Sequence, residues 1–224
     1  MANSYGPKSM VQNGLVFLCD PANSLCYTSG SSTITNLYSE KLVGGPATGS
    51  FIGDCYWDKI EWVCDGTGDW VEVQPFSTPG SAYTISAWVK SNTSTWNQYG
   101  IVASKRDSFI LHPTVGQTKM TFYCYTDAGT GTAQYTGATI TEWHQWVGTY
   151  DGTQSKLYLN GELKNTVSLS GTAVPDASGV MLIGGDDGFN RSINGKMGTV
   201  KMYNRALTDA ECLQDYNATK GRYS

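Results

Sequence analysis

The chain is poor in charge and poorer in histidine. Only 15% of its residues are Asp, Glu, Lys or Arg, and His occurs twice in 224 residues. Soluble proteins carry roughly 25% charge, so this surface is built from Ser, Thr, Asn, Gln and Gly. The basic residues are scattered, Lys105-Arg106 being the densest pair, and the net charge is −4. Nucleic-acid partners require clustered Lys and Arg, so none is expected. No apolar run reaches the roughly 18 residues that mark a membrane span, so no membrane partner is expected. The first residues, MANSYGPKSMVQNG, lack the apolar core of a signal peptide. They lead to an expectation of a cytoplasmic start, or of export by a route the N-terminus does not show. Two isolated His and Cys at 19, 26, 55, 64, 124 and 212 form no zinc-ligand spacing. Most of these cysteines read as small buried hydrophobes, with Cys55 and Cys64 placed to face each other across a hairpin.

Aromatics and turn residues are plentiful: 12% Phe, Trp and Tyr, and 26 Gly. Short apolar runs punctuated by Gly, Asn and Asp predict an all-β chain. Strands are expected at 14–19, 60–64, 70–73, 83–90, 100–104, 108–112, 118–125, 132–136, 145–150, 180–184 and 196–203. Residues 22–43 read as a long polar loop and 1–13 as an N-terminal arm. The segment YTISAWVK (83–90) alternates cleanly and reads as a central strand covered on both faces. Asn160-Gly161 predicts a type I′ hairpin, since both residues tolerate positive φ, and 162–169 is its partner strand. Thr208 with Glu211 makes a capping box, so a helix is expected over 209–217 with Leu213 and Tyr216 toward the sheet. The whole reads as one domain, 1–224.

Three ordered segments then resemble a known family. WHQWV (143–147), TYDG (149–152) and LYLNG (157–161) resemble the "WHHVA…YDG…LYVDG" core of laminin-G-like jelly rolls, members of the concanavalin-A-like lectin/glucanase superfamily. DGTGDWV (65–71), followed by TISAWV, resembles that family's "FDGxDDYV" turn and next strand. GKMGTVKMYNRALTDAE (195–211) resembles its closing segment. The resemblance spans roughly residues 60 to 217. It implies a two-sheet antiparallel jelly-roll β-sandwich (concanavalin-A-like, laminin-G-like) with one short C-terminal helix. GLVFLCDPAN (14–23), followed by YTSG (27–30), is similar to the openings of laminin-G-like structural proteins of tailed bacteriophages.

Catalysis finds no residue set, and no catalytic residue is expected. Glucanases of the superfamily place carboxylates alternately on one strand, where a shared face lets them divide nucleophile and acid roles. Asp69 and Glu72 stand three apart, which sends them to opposite faces. His112 and His144 have no nucleophile-elbow motif nearby and read as structural. Calcium, a hard cation taking Asp and Asn oxygens, has candidate ligands in Asp65 and Asp69 and in Asp186 and Asp187. Against it, Lys201 stands where the family's closing motif has an acid. For a glycan, the polar loop at 91–99 supplies Trp96 as a stacking ring beside Asn97, Gln98 and Tyr99, with Phe189 and Asn190 as a second group.

These features lead to an expected non-enzymatic virion structural, decoration or adhesion module. Its loops would meet host-surface or environmental glycans, or neighbouring virion proteins, with self-association open. It would be located in the virion, or else outside the cell. A free-standing carbohydrate-binding lectin is the alternative, and a glycoside hydrolase or lyase the third reading. The fold alone hosts all three. No cofactor is required, calcium being the one candidate.

Overall fold

The computed structural model describes residues 9–38, 48–97, 101–186 and 191–223. They form two antiparallel sheets packed face to face, with one α-helix. The first sheet runs Glu162–Ser168 (β14), Gln154–Leu159 (β13), His144–Tyr150 (β12), Tyr83–Ser91 (β7), Asn194–Tyr203 (β16), Glu61–Asp65 (β5) and Tyr56–Asp58 (β4). Leu15–Cys19 (β1) pairs with the second half of β16. The second sheet runs Gly129–Tyr135 (β11), Met120–Thr126 (β10), Phe109–Pro113 (β9), Ala103–Lys105 (β8), Met181–Ile183 (β15), Trp70–Val73 (β6), Thr48–Ile52 (β3) and Thr33–Thr35 (β2). This is the expected jelly-roll sandwich. Its core lies between the sheets, where Ile85, Ala87, Phe109, Leu111, Phe122, Trp146 and Val200 are buried.

Strand β7 is central, between β12 and β16, and eight of its nine residues are buried. Asn160 (φ 54°) and Gly161 (φ 79°) close the β13–β14 hairpin in the left-handed region, as type I′ requires. Two expectations change. The expected strands at 60–64 and 70–73 are present as β5 and β6, but the turn at 65–69 joins different sheets, arching over the edge of the sandwich. The polar stretch at 22–43 carries the short strand β2, and its residues 39–43 lie outside the described ones. A disulfide joins Cys55 and Cys64 beside the β4–β5 hairpin, while Cys19, Cys26, Cys124 and Cys212 are free and buried.

The helix, Asp209–Thr219 (α1), starts with the expected capping box between Thr208 and Glu211. Its inward face differs from the expected one. Cys212 and Asp215 are buried, whereas Leu213 is 48% exposed. The cause is a charge pair that apolar periodicity does not register. Lys201, the position where the family motif has an acid, points out of β16 beneath the helix. Its Nζ lies 2.7 and 2.6 Å from the two carboxylate oxygens of Asp215, and both side chains are essentially inaccessible. Gln145 Nε2 donates to the same carboxylate at 2.9 Å, and Tyr203 Oη at 3.3 Å. Buried ions persist only when so paired and hydrogen-bonded. Around them Val11, Leu15, Leu18, Val147, Tyr158, Leu207 and Cys212 form a second, smaller core. The first sheet's outer face is thereby covered around Lys201. Among the described residues no helix lies over the second.

Candidate carbohydrate-binding face

The loop residues expected to bind sugar are mostly tied into the scaffold. Trp96 is 1% exposed and belongs to the main core. Its polar neighbours spend their hydroxyls locally: Thr93 Oγ1 donates to the Thr95 carbonyl at 2.7 Å, and Ser91 Oγ accepts from Thr93 N–H at 3.1 Å. That winding turns the indole inward, where the Trp96 backbone pairs with Gly116 and Gln117. A buried indole offers no stacking surface, so Trp96 is corrected from a binding residue to a core residue. Asn97 staples two loops: its amide donates to the Ser192 carbonyl (2.9 Å) and accepts from Asn194 N–H (2.8 Å). Gln98, Tyr99, Asp187, Phe189 and Asn190 lie outside the described residues.

The expected calcium ligands divide. Asp65 and Asp69 converge with Asp54, all three carboxylates lying within 4.8 Å of one another. Asp69 is fully buried, and its oxygens accept from the Asp54 and Asp65 backbone N–H groups at 2.8 and 3.1 Å. Gly53 permits this approach, because a Cβ there would stand 2.2 Å from Asp69 Oδ1. Burial raises the Asp69 pKa, against the pull of the two N–H donors. Asp54 and Asp65 remain exposed at the rim, beside a pocket of about 350 Å³ that Asn92 and Asn194 also line. Three carboxylates at this spacing suit a hard cation. Asp186 stands apart from them. It is buried and paired with Arg106, with Arg191 at 3.7 Å, so guanidinium groups balance its charge.

The second sheet's outer face carries a group that the sequence reading passed over. On β10, Met120, Phe122 and Cys124 enter the core, and alternation sends Tyr123 and Tyr125 outward, where both are half-buried. Their rings are nearly parallel, 10° apart in plane, with centroids separated by 6.3 Å. His112 on β9 meets the Tyr123 ring edge-on at 5.6 Å. Exposed Thr130, Thr132 and Gln134 continue the same face on β11. A pocket of about 410 Å³ lies over Arg106, Ile110, His112, Tyr123, Tyr125 and Arg191. A neighbouring one of about 280 Å³ shares Arg106 and Asp107 and reaches Asp176 and Leu182. Burial, with Arg191 and Arg106 nearby, lowers the His112 pKa below its usual value, so the imidazole at neutral pH is an uncharged hydrogen-bonding group. Apolar rings with amides, hydroxyls and fixed guanidinium donors make a surface that can pack a sugar's C–H face and bond its hydroxyls. The signal for it was present in MTFYCYT, two tyrosines at i and i+2 on a strand whose other face is apolar.

Sheet order and connectivity make the chain a jelly-roll β-sandwich protein. More narrowly, it belongs to the concanavalin A-like lectin/glucanases superfamily, whose laminin G family model matches residues 65–212. Comparison with curated protein sequences finds no match. Among solved structures it is similar to domain 4 of AbnA, an extracellular arabinanase from Geobacillus stearothermophilus, in complex with arabinotriose. That likeness has a TM-score of 0.66 at 14% identity, covering 93% of this chain and 99% of that one. It is also similar to the binding domain of botulinum neurotoxin DC in complex with SialylT, with a TM-score of 0.66 at 10% identity. A botulinum neurotoxin type C structure, whose cell entry depends upon interaction with two ganglioside molecules, matches at 0.66 and 12%. This chain is 92% covered in both comparisons and spans 51% of each toxin chain. At such identities the likeness is one of fold.

Proposed function

We propose that the chain is a non-catalytic glycan-binding module whose binding surface is the outer face of the second sheet. The observation that carries this reading is the half-buried, parallel Tyr123–Tyr125 pair on a face that no described helix covers. The fold is shared with domains solved with arabinotriose and SialylT, which supports the reading. A glycan array read with the intact chain and with Tyr123→Ala/Tyr125→Ala tests it. Saturable binding lost in the variant supports the proposal; binding that survives the double substitution, or no binding to any glycan, overturns it.

The setting we propose is a viral particle, where the module would decorate the surface and meet host glycans or neighbouring virion proteins. Its support is the N-terminal GLVFLCDPAN segment and its likeness to phage structural proteins. Mass spectrometry of assembled particles from the source checks it, and absence from all of them would leave the lectin reading standing alone. A calcium ion held by Asp54, Asp65 and Asp69 is proposed as a stabiliser of the rim; it would supply charge neutralisation to three crowded carboxylates.

A further inference from the structure

A cavity of about 570 Å³ opens where the end of α1 meets the outer side of the first sheet. Its aromatic wall is prearranged. Trp88, buried on β7, stacks with Tyr216 (5.7 Å, 21°) and with Tyr223 (4.5 Å, 24°), and its Nε1 donates to Thr219 Oγ1 at 3.0 Å. Tyr223 fits there because Gly198 has no side chain; a Cβ would stand 2.6 Å from the ring. The Tyr223 hydroxyl accepts from Thr199 N–H at 2.8 Å. Trp143 packs 4.9 Å from Tyr223 and, like Tyr216, is only half-buried, so both keep a surface toward the cavity. His144 is held by Asn160 Nδ2 (2.9 Å) on one ring nitrogen and by the Thr139 carbonyl (3.1 Å) on the other.

The charged lining is what selects a ligand. Lys90, Lys220 and Glu142 all face this cavity. Among the described residues none of the three is in an ion pair. Lys220 instead lies over the Tyr216 ring at 5.3 Å. Two ammonium groups against one carboxylate leave the pocket net positive, beside rings suited to a sugar's C–H face. We infer that this pocket is a second carbohydrate site, separate from the Tyr123–Tyr125 face, and that it takes a sugar unit carrying a carboxylate. The lysines receive the carboxylate, Glu142 accepts from ring hydroxyls, and Trp143 packs against the ring.

The test titrates the intact chain with tri-galacturonate, with neutral galactotriose, and with acetate as a carboxylate without a sugar. Heat and tryptophan fluorescence are the readouts. Tri-galacturonate is expected to bind roughly three- to tenfold tighter than galactotriose, the worth of two partly exposed charge contacts, with the difference shrinking as salt rises. Acetate is expected not to compete. Lys90→Met/Lys220→Met should erase the preference at an unchanged unfolding temperature, and Tyr123→Ala/Tyr125→Ala should leave it intact. The inference is overturned by equal affinity for the two trisaccharides, by no binding of the acidic one, or by a preference that survives the double lysine variant. Competition by acetate would reassign the pocket to free carboxylates. Because the tyrosine variant is neutral here, failure of this site and failure of the glycan-binding face are separable.

Discussion

The two outer faces of this sandwich have the same alternating pleat and opposite fates. On the first sheet, outward residues such as Thr84, Ser86, Gln145 and Lys201 are buried, because α1 and the segment at Val11, before β1, lie over them. On the second, outward Tyr123, Tyr125, Thr130 and Thr132 keep contact with solvent. Pleat and composition do not separate the faces; what is laid across them does. The covered face must neutralise its polar groups internally, and the Lys201–Asp215 pair with Gln145 and Tyr203 is how it does so. On the second sheet Ser104 and Thr121 are buried as well, but the Tyr123–Tyr125 pair and Thr130 and Thr132 are left to water or to a ligand.

The sharpest way to break this contrast is to unbalance the covered face. Asp215→Ala is expected to destabilise the chain by roughly 3–5 kcal/mol, because Lys201 would be left charged in a dry site. Removing both charges with Lys201→Met/Asp215→Leu should restore most of that loss. Chemical denaturation of the three proteins measures the effect. A single variant no less stable than the parent would show that water reaches the pair and that the face is not closed.

Trp96→Ala and Tyr123→Ala set a buried ring against an exposed one. Trp96→Ala empties a core position and should cost about 3–5 kcal/mol while leaving glycan affinity intact in the folded protein. Tyr123→Ala should do the reverse, weakening glycan binding more than about tenfold with a stability change near 1 kcal/mol or less. A smaller effect is expected from calcium. At millimolar concentration it should raise the unfolding temperature of the parent by mass action, and Asp65→Asn should remove the rise. No shift in the parent would discard the rim site.

The contrast also explains what could be read without coordinates. Strand positions, the Asn160-Gly161 hairpin and the capping box rest on local chemistry, and they were legible because neighbours in sequence decide them. Whether a face is covered is decided by α1 and the segment at Val11 packing on strands distant in sequence. Trp96 therefore looked exposed among Ser, Thr and Asn that in fact bond one another. Tyr123 and Tyr125 drew no reading beyond the strand at 118–125. Leu213 looked inward because a buried Asp215 carries no apolar signal. Trp143 and His144 identified the family, yet they also border a cavity completed by a helix end some seventy residues later.

The lid on the covered face should carry its own acid dependence. Glu211 sits in the first turn of α1, where it closes the capping box and takes a bidentate pair from Arg205 at 2.7 and 2.8 Å. Arg205 holds the Glu211 pKa down at about 2, against 4.5 for the free group. A carboxylate depressed on folding contributes stability that is fully present above about 4.5 and lost as pH falls toward about 2. Buried Asp69 is shifted the opposite way and resists this loss, but it does so equally in any Glu211 variant. Glu211→Gln should therefore cost about 1 kcal/mol or less at neutral pH, since Gln still caps the helix and the pair is partly solvated. Between pH 4.5 and 2 the parent and variant stabilities should converge. Denaturation midpoints across that range measure the difference. Parallel curves would mean that Glu211 titrates as it does in the unfolded chain and that the Arg205 pair does not hold the helix onto the sheet.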